Sequence, residues 1–335
     1  MNAQKSKVAR GTVRRQILLM GVAAALGAGV VQAADIKDLK NIKIVVSQAP
    51  GGSVDQIARA FADFVSRETG VTAVVQNKPG GLGMSAANEV AKAAPDGATL
   101  LIIMNSNMAQ APVLLKNPPV NPDTDFTPIA SFSMGRSIVA VRNGLPVKNV
   151  KELIEYARKN PVSAGNFGIG TNWQMVLQHL AETQGAEFNV INYKGGAPMQ
   201  VDLYAGHIDI ASGSLLSMAP AIREGKAIPL VVPGARRTKV FPDVPTWAEE
   251  GFTDPIFSGA LESALLVGPK GLPPELVERF AQLASRTMKE SEAMQNIAAQ
   301  LDAEDPLTGE ALDKHLSQSW KYYRDMTRQL GIEPS

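Results

Sequence analysis

Residues 42–56 read Ile-Lys-Ile-Val-Val-Ser-Gln-Ala-Pro-Gly-Gly-Ser-Val-Asp-Gln, and this stretch decides the fold. It begins as a short strand rich in Ile and Val and turns at Gly51 and Gly52. Ser53 and Gln56 then have the spacing of a capping box, which predicts the start of a helix. The next apolar residues recur at helical spacing. The stretch therefore predicts a strand–turn–helix unit, the building block of a parallel sheet.

The same unit recurs along most of the chain. Strands are predicted at 71–76, 99–104, 138–141, 188–192, 208–211 and 229–232, and helices at 85–93, 151–159, from 171 onward and at 198–206. A short return strand at 265–267 precedes three helices at 273–289, 292–301 and 309–330. Strands that alternate with helices imply right-handed βαβ units.

The pattern restarts near Ser137, which predicts two lobes. About 300 residues is also more than a single hydrophobic core usually serves. The fold class is therefore α/β, with two lobes that are each a mostly parallel sheet flanked by helices, and a ligand cleft between them. We predict a signal peptide at 1–33, a first lobe at 34–136 and a second lobe at 137–262, with 263–335 returning to the first lobe.

The N-terminal segment is typical of a secretory signal. Five basic residues and no acid precede an apolar run of fifteen residues at 17–31, and Val31-Gln32-Ala33 has the small residues of a cleavage site. The run is shorter than the ~20 residues that span a bilayer. We expect cleavage before Ala34 and a soluble, monomeric protein in the periplasm.

Composition excludes several classes of function. With the five basic residues of the signal removed, acids slightly outnumber bases, and there is no basic block, so we expect no nucleic-acid partner. The chain has no Cys, hence neither a disulfide framework nor a thiolate nucleophile. Its three histidines lie far apart in the sequence, and no pair has zinc-ligand spacing, so we expect no metal.

Three glycine-rich turns mark the candidate binding site. Each is expected at the carboxyl end of a strand and precedes a helix, at 50–53, 80–83 and 165–171. Ligands of open α/β sheets bind at this edge, and helix N-termini favour anions there. Gly81-Leu82-Gly83 also begins a match to the dinucleotide fingerprint, but the acid expected about twenty residues later is absent. We therefore expect no cofactor.

Catalytic constellations are scarce in the sequence. There is no G-x-S-x-G nucleophile elbow. Asp55 could act as a general base, but a carboxylate in the first turn of a helix normally complements the helix dipole. Nothing combines a nucleophile, a base and an oxyanion hole, so we expect no catalytic residues and no enzyme.

Several segments together carry a resemblance to a known family. The likeness lies in their order and spacing and covers nearly all of the chain after the signal. The segments are 49–55, Asn-Lys-Pro-Gly at 77–80, Ala-Pro-Asp-Gly-Ala-Thr-Leu at 94–100, 125–129, Tyr-Lys-Gly at 193–195, Asp202-Leu203 with Gly206, Arg237, 242–246 and Glu249. The chain resembles the Bug-type extracytoplasmic solute receptors of tripartite tricarboxylate transporters.

The resemblance implies a type II-like periplasmic-binding fold, a small carboxylate ligand and membrane permease subunits as partners. It implies that turns of the first lobe hold one carboxylate of the ligand and that loops of the second lobe complete the site. The candidate ligand-binding residues are Pro50, Gly51, Gly52, Ser53, Asp55, Gly81, Gly83, Gly170, Thr171, Trp173, Gln174, Tyr193, Ser212, Gly213 and Ser214.

Two departures from the family pattern bear on the ligand. Gln174 stands where the family often has His, and Gly213 and Ser214 stand where it often has an acid and an amide. The missing acid disfavours an amino acid, because an ammonium group needs a carboxylate partner. Trp173 could stack on an aromatic acid or simply pack between the lobes. Tricarboxylate, aliphatic dicarboxylate and aromatic carboxylate ligands all stay open.

Two alternatives to a transport receptor follow from the same residues. One is a secreted α/β hydrolase that uses Asp55 or a histidine. The other is a receptor that presents its ligand to a sensor kinase. Ligand binding without turnover distinguishes the receptor from the hydrolase.

Overall fold

Ten strands form two five-stranded sheets in the computed structural model, which describes residues 35–168, 170–234, 236–258, 262–329 and 331. The strands are β1 (Ile42–Val46), β2 (Ala73–Asn77), β3 (Thr99–Met104), β4 (Phe126–Ser133), β5 (Ser137–Arg142), β6 (Val162–Asn166), β7 (Phe188–Asn192), β8 (Ile210–Ser214), β9 (Ala227–Val231) and β10 (Ser263–Pro269). The first sheet has the order β2-β1-β3-β10-β4, and the second has the order β7-β6-β8-β5-β9.

Helices flank both sheets. They are α1 (Ser53–Thr69), α2 (Met84–Ala91), α3 (Asn105–Leu114), α4 (Val150–Ala157), α5 (Asn172–Gln184), α6 (Gly196–Ala205), α7 (Leu215–Arg223), α8 (Pro255–Ser258), α9 (Pro274–Glu290), α10 (Glu292–Leu301) and α11 (Gly309–Gln329). Short 3-10 helices lie at Ile36–Asp38 and Gly81–Gly83. No described helix is both long and apolar enough to cross a membrane.

Each sheet has a single reversed strand in the same position. β1 pairs in parallel with β2 and β3, whereas β10 is antiparallel to both β3 and β4. In the second sheet β6 is parallel to β7 and β8, whereas β5 is antiparallel to β8 and β9. The reversed strand is in both cases the one that follows a crossing from the other sheet. The predicted class, two lobes with mostly parallel sheets, is confirmed.

Apolar side chains cover both faces of each sheet. In β3, Leu100 and Ile102 pack into a cluster with α1 and α9, while Leu101 and Ile103 pack into a second cluster with α2 and α3. Strands buried on both faces read as continuous apolar runs, as residues 100–104 do. α11 contributes to the second of these clusters through Leu312 and Leu316.

Five elements were not predicted, α3, β4, β6, α7 and α8, and three of them lack the usual sequence signal. α3 starts with Asn105-Ser106-Asn107 and contains Pro112. Residues 105–111 are all buried, so the helix shows no polar face. β4 contains Pro128, which a strand tolerates at the edge of a sheet, where β4 lies. α7 contains Pro220 inside the helix.

The chain crosses between the sheets twice among the described residues. One crossing is the short link from β4 to β5, and the other runs from β9 to β10. The two meet where the Met134 N–H donates to the Glu262 carbonyl at 3.0 Å. Residues 35–335 form one unit of contacts, so the lobe boundaries at 137 and 263 stay a prediction. The predicted signal peptide lies outside the described residues.

Candidate functional site

A cavity of about 150 Å³ lies between the two sheets, at the carboxyl ends of their parallel strands. The loop after β1 and the last residue of β3 contribute the wall on one side. The loops after β6 and β7 and the end of β8 contribute the wall on the other. Both crossings also reach the cavity, through Met134, Gly135, Ser137 and Glu262. A site shared by two lobes in this way can be opened and closed by a change in their relative position.

Five helices begin at the cavity wall. The start of α3, after Met104, donates from the Ser106 N–H to the Glu262 carboxylate, whereas two others have no side-chain cap. α1 starts after Gly52 and α6 after Gly195, and neither residue caps the first turn with a side chain. By contrast, the Thr171 hydroxyl caps α5 and the Ser214 hydroxyl caps α7. Uncapped first turns leave backbone N–H groups and the positive end of the helix dipole for a ligand. The two uncapped starts therefore suit an anion.

Gly195 also lets the two lobes approach each other. Its φ of 114° favours glycine, and a Cβ there would lie 3.3 Å from the side-chain oxygen of Gln48. Gln48 belongs to the loop after β1, on the other side of the cavity. A side chain at 195 would strain the backbone and crowd this contact.

A chain of hydroxyl groups joins the lobes at the cavity. The Ser53 and Ser214 hydroxyl oxygens are 2.5 Å apart, and Ser214 is in turn 2.8 Å from the Ser217 hydroxyl. The Gln200 amide donates to Ser217 Oγ at 2.6 Å. These four residues all line the cavity. They offer hydroxyl groups beside the helix starts, where they could hydrogen-bond a carboxylate.

Aromatic side chains form another part of the wall. Trp173, Trp247, Phe257 and Tyr323 line the cavity and belong to one apolar cluster with Val139. The rings of Trp247 and Phe257 have centroids 4.8 Å apart. The Trp173 indole N–H donates to the Gly165 carbonyl at 3.0 Å, so its polar edge is already satisfied. This part of the cavity suits an apolar or aromatic portion of a ligand.

Some of the predicted site residues lie on the cavity wall and others do not. Those on the wall are Gly51, Gly52, Ser53, Trp173, Ser212, Gly213 and Ser214. Those away from it are Pro50, Asp55, Gly81, Gly83, Gly170, Thr171, Gln174 and Tyr193. Except for Gly81 and Gly83, the residues of the second group hold the loops and helix starts near the wall in place.

Asp55 holds the loop after β1 in place. Its carboxylate accepts hydrogen bonds from the Gly51 N–H at 2.9 Å, from Arg59 Nε at 2.9 Å and from Asn77 Nδ2 at 2.8 Å. Burial opposes ionisation, but these hydrogen bonds outweigh it and lower the pKa of Asp55. The carboxylate is therefore occupied with the loop and is not a general base facing the cavity.

The other predicted residues away from the wall have comparable local roles. Thr171 is buried, donates to the Asn166 side-chain oxygen and accepts from the Gln174 N–H at 3.2 Å. The Gln174 side chain accepts from the Gly170 N–H at 2.8 Å. The Tyr193 hydroxyl donates to Asp202 at 2.7 Å, and burial together with this bond raises the pKa of Tyr193 to about 12.

The two remaining glycines of this group belong to a packed turn. Gly81 and Gly83 are the ends of the 3-10 helix before α2, and both have positive φ. A Cβ at Gly83 would lie 2.9 Å from both Ile103 and Ser47, so this position has no room for a side chain. The turn packs against the ends of β1 and β3 at the carboxyl edge of the first sheet and does not line the cavity.

Apart from Trp173, sequence reasoning missed the aromatic residues of the cavity wall. It also missed the one carboxyl group among the described lining residues. Glu262 lines the cavity, and it is the only acidic or basic residue among the described lining residues. One signal was present, because Glu262 is the only charged residue in the apolar stretch 255–269. Tyr323 lies in the predicted helix at 309–330, but only the folded chain shows that its ring reaches the cavity. No group of three metal-ligating residues occurs in the described part of the chain.

The fold and the cavity define a two-lobed solute-binding protein, and comparison with known families agrees. The family described as tripartite tricarboxylate transporter family receptor matches residues 57–317. The chain therefore belongs to this family of substrate-binding receptors.

Solved structures of the same fold extend the likeness to nearly the whole of their chains. The periplasmic binding protein BugD is 30% identical, with a TM-score of 0.80 over 88% of this chain and 99% of its own. A protein from R. palustris solved with adipate is 27% identical, with a TM-score of 0.80 over 88% and 98%. MatC from Rhodopseudomonas palustris, with bound malate, is 25% identical, with a TM-score of 0.75 over 86% and 99%.

Proposed function

We propose that this protein is an extracytoplasmic receptor that captures a small carboxylate in the cavity between its two sheets. It delivers the ligand to the membrane permease subunits of a tripartite tricarboxylate-type transporter. The observation that carries this proposal is the pair of uncapped helix starts, α1 and α6, at the cavity wall. Their N–H groups supply positive potential for a carboxylate without any cationic side chain.

The composition of the wall supports a carboxylate ligand. No Lys, Arg or His is among the described residues that line the cavity, so backbone N–H groups and the hydroxyls of Ser53 and Ser214 hold the anion. Two structural neighbours were solved with adipate and malate, which are both small carboxylates. Hydrogen bonds to a charged group contribute about 1.5–3 kcal/mol each, so a few of them suffice for tight binding.

Capture takes place by closure of the lobes. The Ser53–Ser214 hydrogen bond and the approach of Gly195 to Gln48 both join the two sides of the cavity. A ligand that contacts both sides stabilises the closed arrangement over the open one. The partner membrane proteins then recognise the closed, loaded receptor.

A receptor fits the site better than a hydrolase does. Asp55 is occupied by three hydrogen bonds, and none of the three histidines lines the cavity. His179 lies 2.9 Å from Asp254, and His207 lies 3.1 Å from Asp202. Among the described residues, no Ser or Thr hydroxyl bonds to the ring of either histidine, so these pairs do not form a triad. Presentation to a sensor kinase would use the same cavity and differ only in the partner.

We further propose that the chain is exported to the periplasm and cleaved before Ala34. The basic segment, the apolar run at 17–31 and the small residues at 31 and 33 support this. Membership of a family with a periplasmic relative, BugD, supports it independently.

A thermal-shift screen over a panel of di-, tri- and aromatic carboxylates tests the proposed function. At a hundredfold excess over Kd, binding adds about 2.7 kcal/mol to the free energy of unfolding. For a protein of this size we expect Tm to rise by about 5 °C. Mass spectrometry of the same mixtures should recover every ligand unchanged. Turnover of any panel member above background would instead favour the hydrolase.

A further inference from the structure

Glu262 is the feature of the cavity that the proposed function leaves unexplained. It follows the second crossing between the sheets and immediately precedes β10. Its side chain lines a wall on which it is the only acidic or basic residue among those described. A receptor that merely holds carboxylates at helix starts has no use for a carboxyl group there, because like charges repel.

The Glu262 carboxyl is held in a fixed position. One oxygen accepts from the Ser106 N–H at 3.1 Å, at the start of α3, and from the Ser263 N–H at 3.2 Å. The Tyr323 hydroxyl lies 3.5 Å from the other oxygen. The Met134 N–H also donates to the Glu262 backbone carbonyl at 3.0 Å. The group is therefore part of the junction between the lobes and not a mobile surface side chain.

Among the described residues that line the cavity with Glu262, none carries a positive charge that could balance it. Burial raises the pKa of Glu262 above its usual range, although hydrogen bonds from its neighbours act in the opposite direction. A buried carboxylate is costly unless a positive charge pairs with it. Because the described wall has no Lys, Arg or His, such a charge would have to come from the ligand.

Two further observations point to a positively charged group on the ligand. Asn172 also lines the cavity, and its side-chain oxygen is buried without a hydrogen-bond partner among the described residues. The wall thus offers a second acceptor beside Glu262, and this one has no donor among the described residues. The aromatic rings of Trp173, Trp247, Phe257 and Tyr323 line the same cavity, and aromatic faces attract cations.

β5 relates the hydroxyl part of the cavity to the aromatic part. Ser137 lies on the wall and pairs with Ser214, which belongs to the hydroxyl chain. Two residues further along β5, Val139 lies on the wall and packs with the aromatic cluster. Two residues along a strand span about 7 Å. A ligand several atoms long can therefore reach from one part to the other.

We propose that the ligand is a zwitterion whose carboxylate binds at the starts of α1 and α6 and whose positively charged nitrogen pairs with Glu262. This inference rests on the proposed function, since it assigns the other end of the same ligand. It also replaces the expectation, based on Gly213 and Ser214, that an ammonium group has no partner here. The carboxyl comes from the crossing between the lobes instead of from the end of β8.

Calorimetry with matched pairs of compounds tests the inference. In each pair one carboxylate of a diacid is replaced by an ammonium group at similar length: succinate and 4-aminobutanoate, adipate and 6-aminohexanoate, terephthalate and 4-(aminomethyl)benzoate. We expect at least one zwitterion to bind at least tenfold tighter than its diacid. Glu262→Gln should weaken that zwitterion at least a hundredfold, because a buried charge loses its partner.

The matched control is Glu155→Gln, an exposed glutamate of α4, which should leave both affinities unchanged. If Glu262→Gln does not fold, Glu262→Asp takes its place in the test. This variant keeps the charge and should retain part of the preference for the zwitterion over the diacid. If the diacids bind and no zwitterion does, this inference is wrong while the proposed function stands. If no carboxylate in any pair binds, both are wrong.

Discussion

The Ser53 hydroxyl makes a contact between residues that are 161 positions apart in the chain. Ser53 is the first residue of α1. Its partner Ser214 is the last residue of β8 in the second sheet and caps α7. A single hydroxyl group thus contributes to the wall of the cavity and to the closed arrangement of the lobes. Its neighbour Gly52 lines the same cavity and, because it has no side chain, leaves the space in front of the α1 start open.

Ser53→Ala should weaken ligand binding about tenfold to a hundredfold, because it removes one hydrogen bond to the carboxylate worth about 1.5–3 kcal/mol. Calorimetry measures the affinity, and thermal unfolding checks that the fold is intact. Ser85→Ala is the control, since Ser85 is an exposed serine of α2. Equal affinities for the wild type and Ser53→Ala would mean that this hydroxyl does not stabilise the loaded state.

Individual site residues could be predicted only where local sequence determines their position. Gly52 and Ser53 follow a strand and precede a helix, so their place at the sheet edge follows from the local pattern. Glu262 and Tyr323 reach the cavity through the tertiary fold, from segments that are far from the glycine-rich turns. The residues next to Glu262 and Tyr323 in the sequence do not indicate which side chains these two residues will face in the folded protein.

At the level of elements, the helix starts organise the site. A capping box at Ser53 and Gln56 was predicted, but the helix is preceded by Gly52, and the Ser53 hydroxyl bonds across the cavity instead of to its own helix. The Gln56 amide reaches back to the Gly51 carbonyl at 3.3 Å. The start of α1 therefore lacks the side-chain cap that would compete with a ligand.

The loop before α1 depends on the charge of Asp55, which predicts a pH-dependent stability. The pKa of Asp55 is lowered in the folded protein, so its contribution to stability is complete above the unfolded value of about 3.9 and is lost as pH falls below it. Asp55→Asn should therefore lower the free energy of unfolding at pH 7, and its difference from the wild type should shrink below about pH 4.

Urea unfolding at several pH values measures this difference. Asp63→Asn is a matched control, because Asp63 and Arg67 form an exposed ion pair in α1 with the same spacing as Asp55 and Arg59. Exposed pairs contribute about 0–1 kcal/mol, so this variant should change stability little. A difference between Asp55→Asn and the wild type that does not vary with pH would contradict the assigned role.

At the level of the whole molecule, two crossings and two reversed strands allow one chain to build two similar lobes. The alternation of strands and helices was sufficient to predict the two sheets. It could not predict the register, or that the crossings themselves would reach the cavity, because both depend on contacts between distant segments. The site is consequently a property of the two lobes together and of their junction at Met134 and Glu262.

The central claim is that the helix starts bind the anion. Calorimetry tests it on the variants Gly52→Val and Lys78→Ala, with the carboxylate that most stabilises the wild type as the ligand. Gly52 has an ordinary φ of −75°, and an added Cβ would meet only the Ala49 carbonyl at 3.7 Å, so Val should fold but fill cavity space. Lys78 pairs with Glu89 at 2.7 Å and does not line the cavity. We predict that Gly52→Val nearly abolishes binding while Lys78→Ala changes affinity less than about threefold, because the half-exposed Lys78–Glu89 pair lies away from the cavity. Loss of binding in Lys78→Ala with full binding in Gly52→Val would show that a side-chain charge, and not the start of α1, holds the ligand.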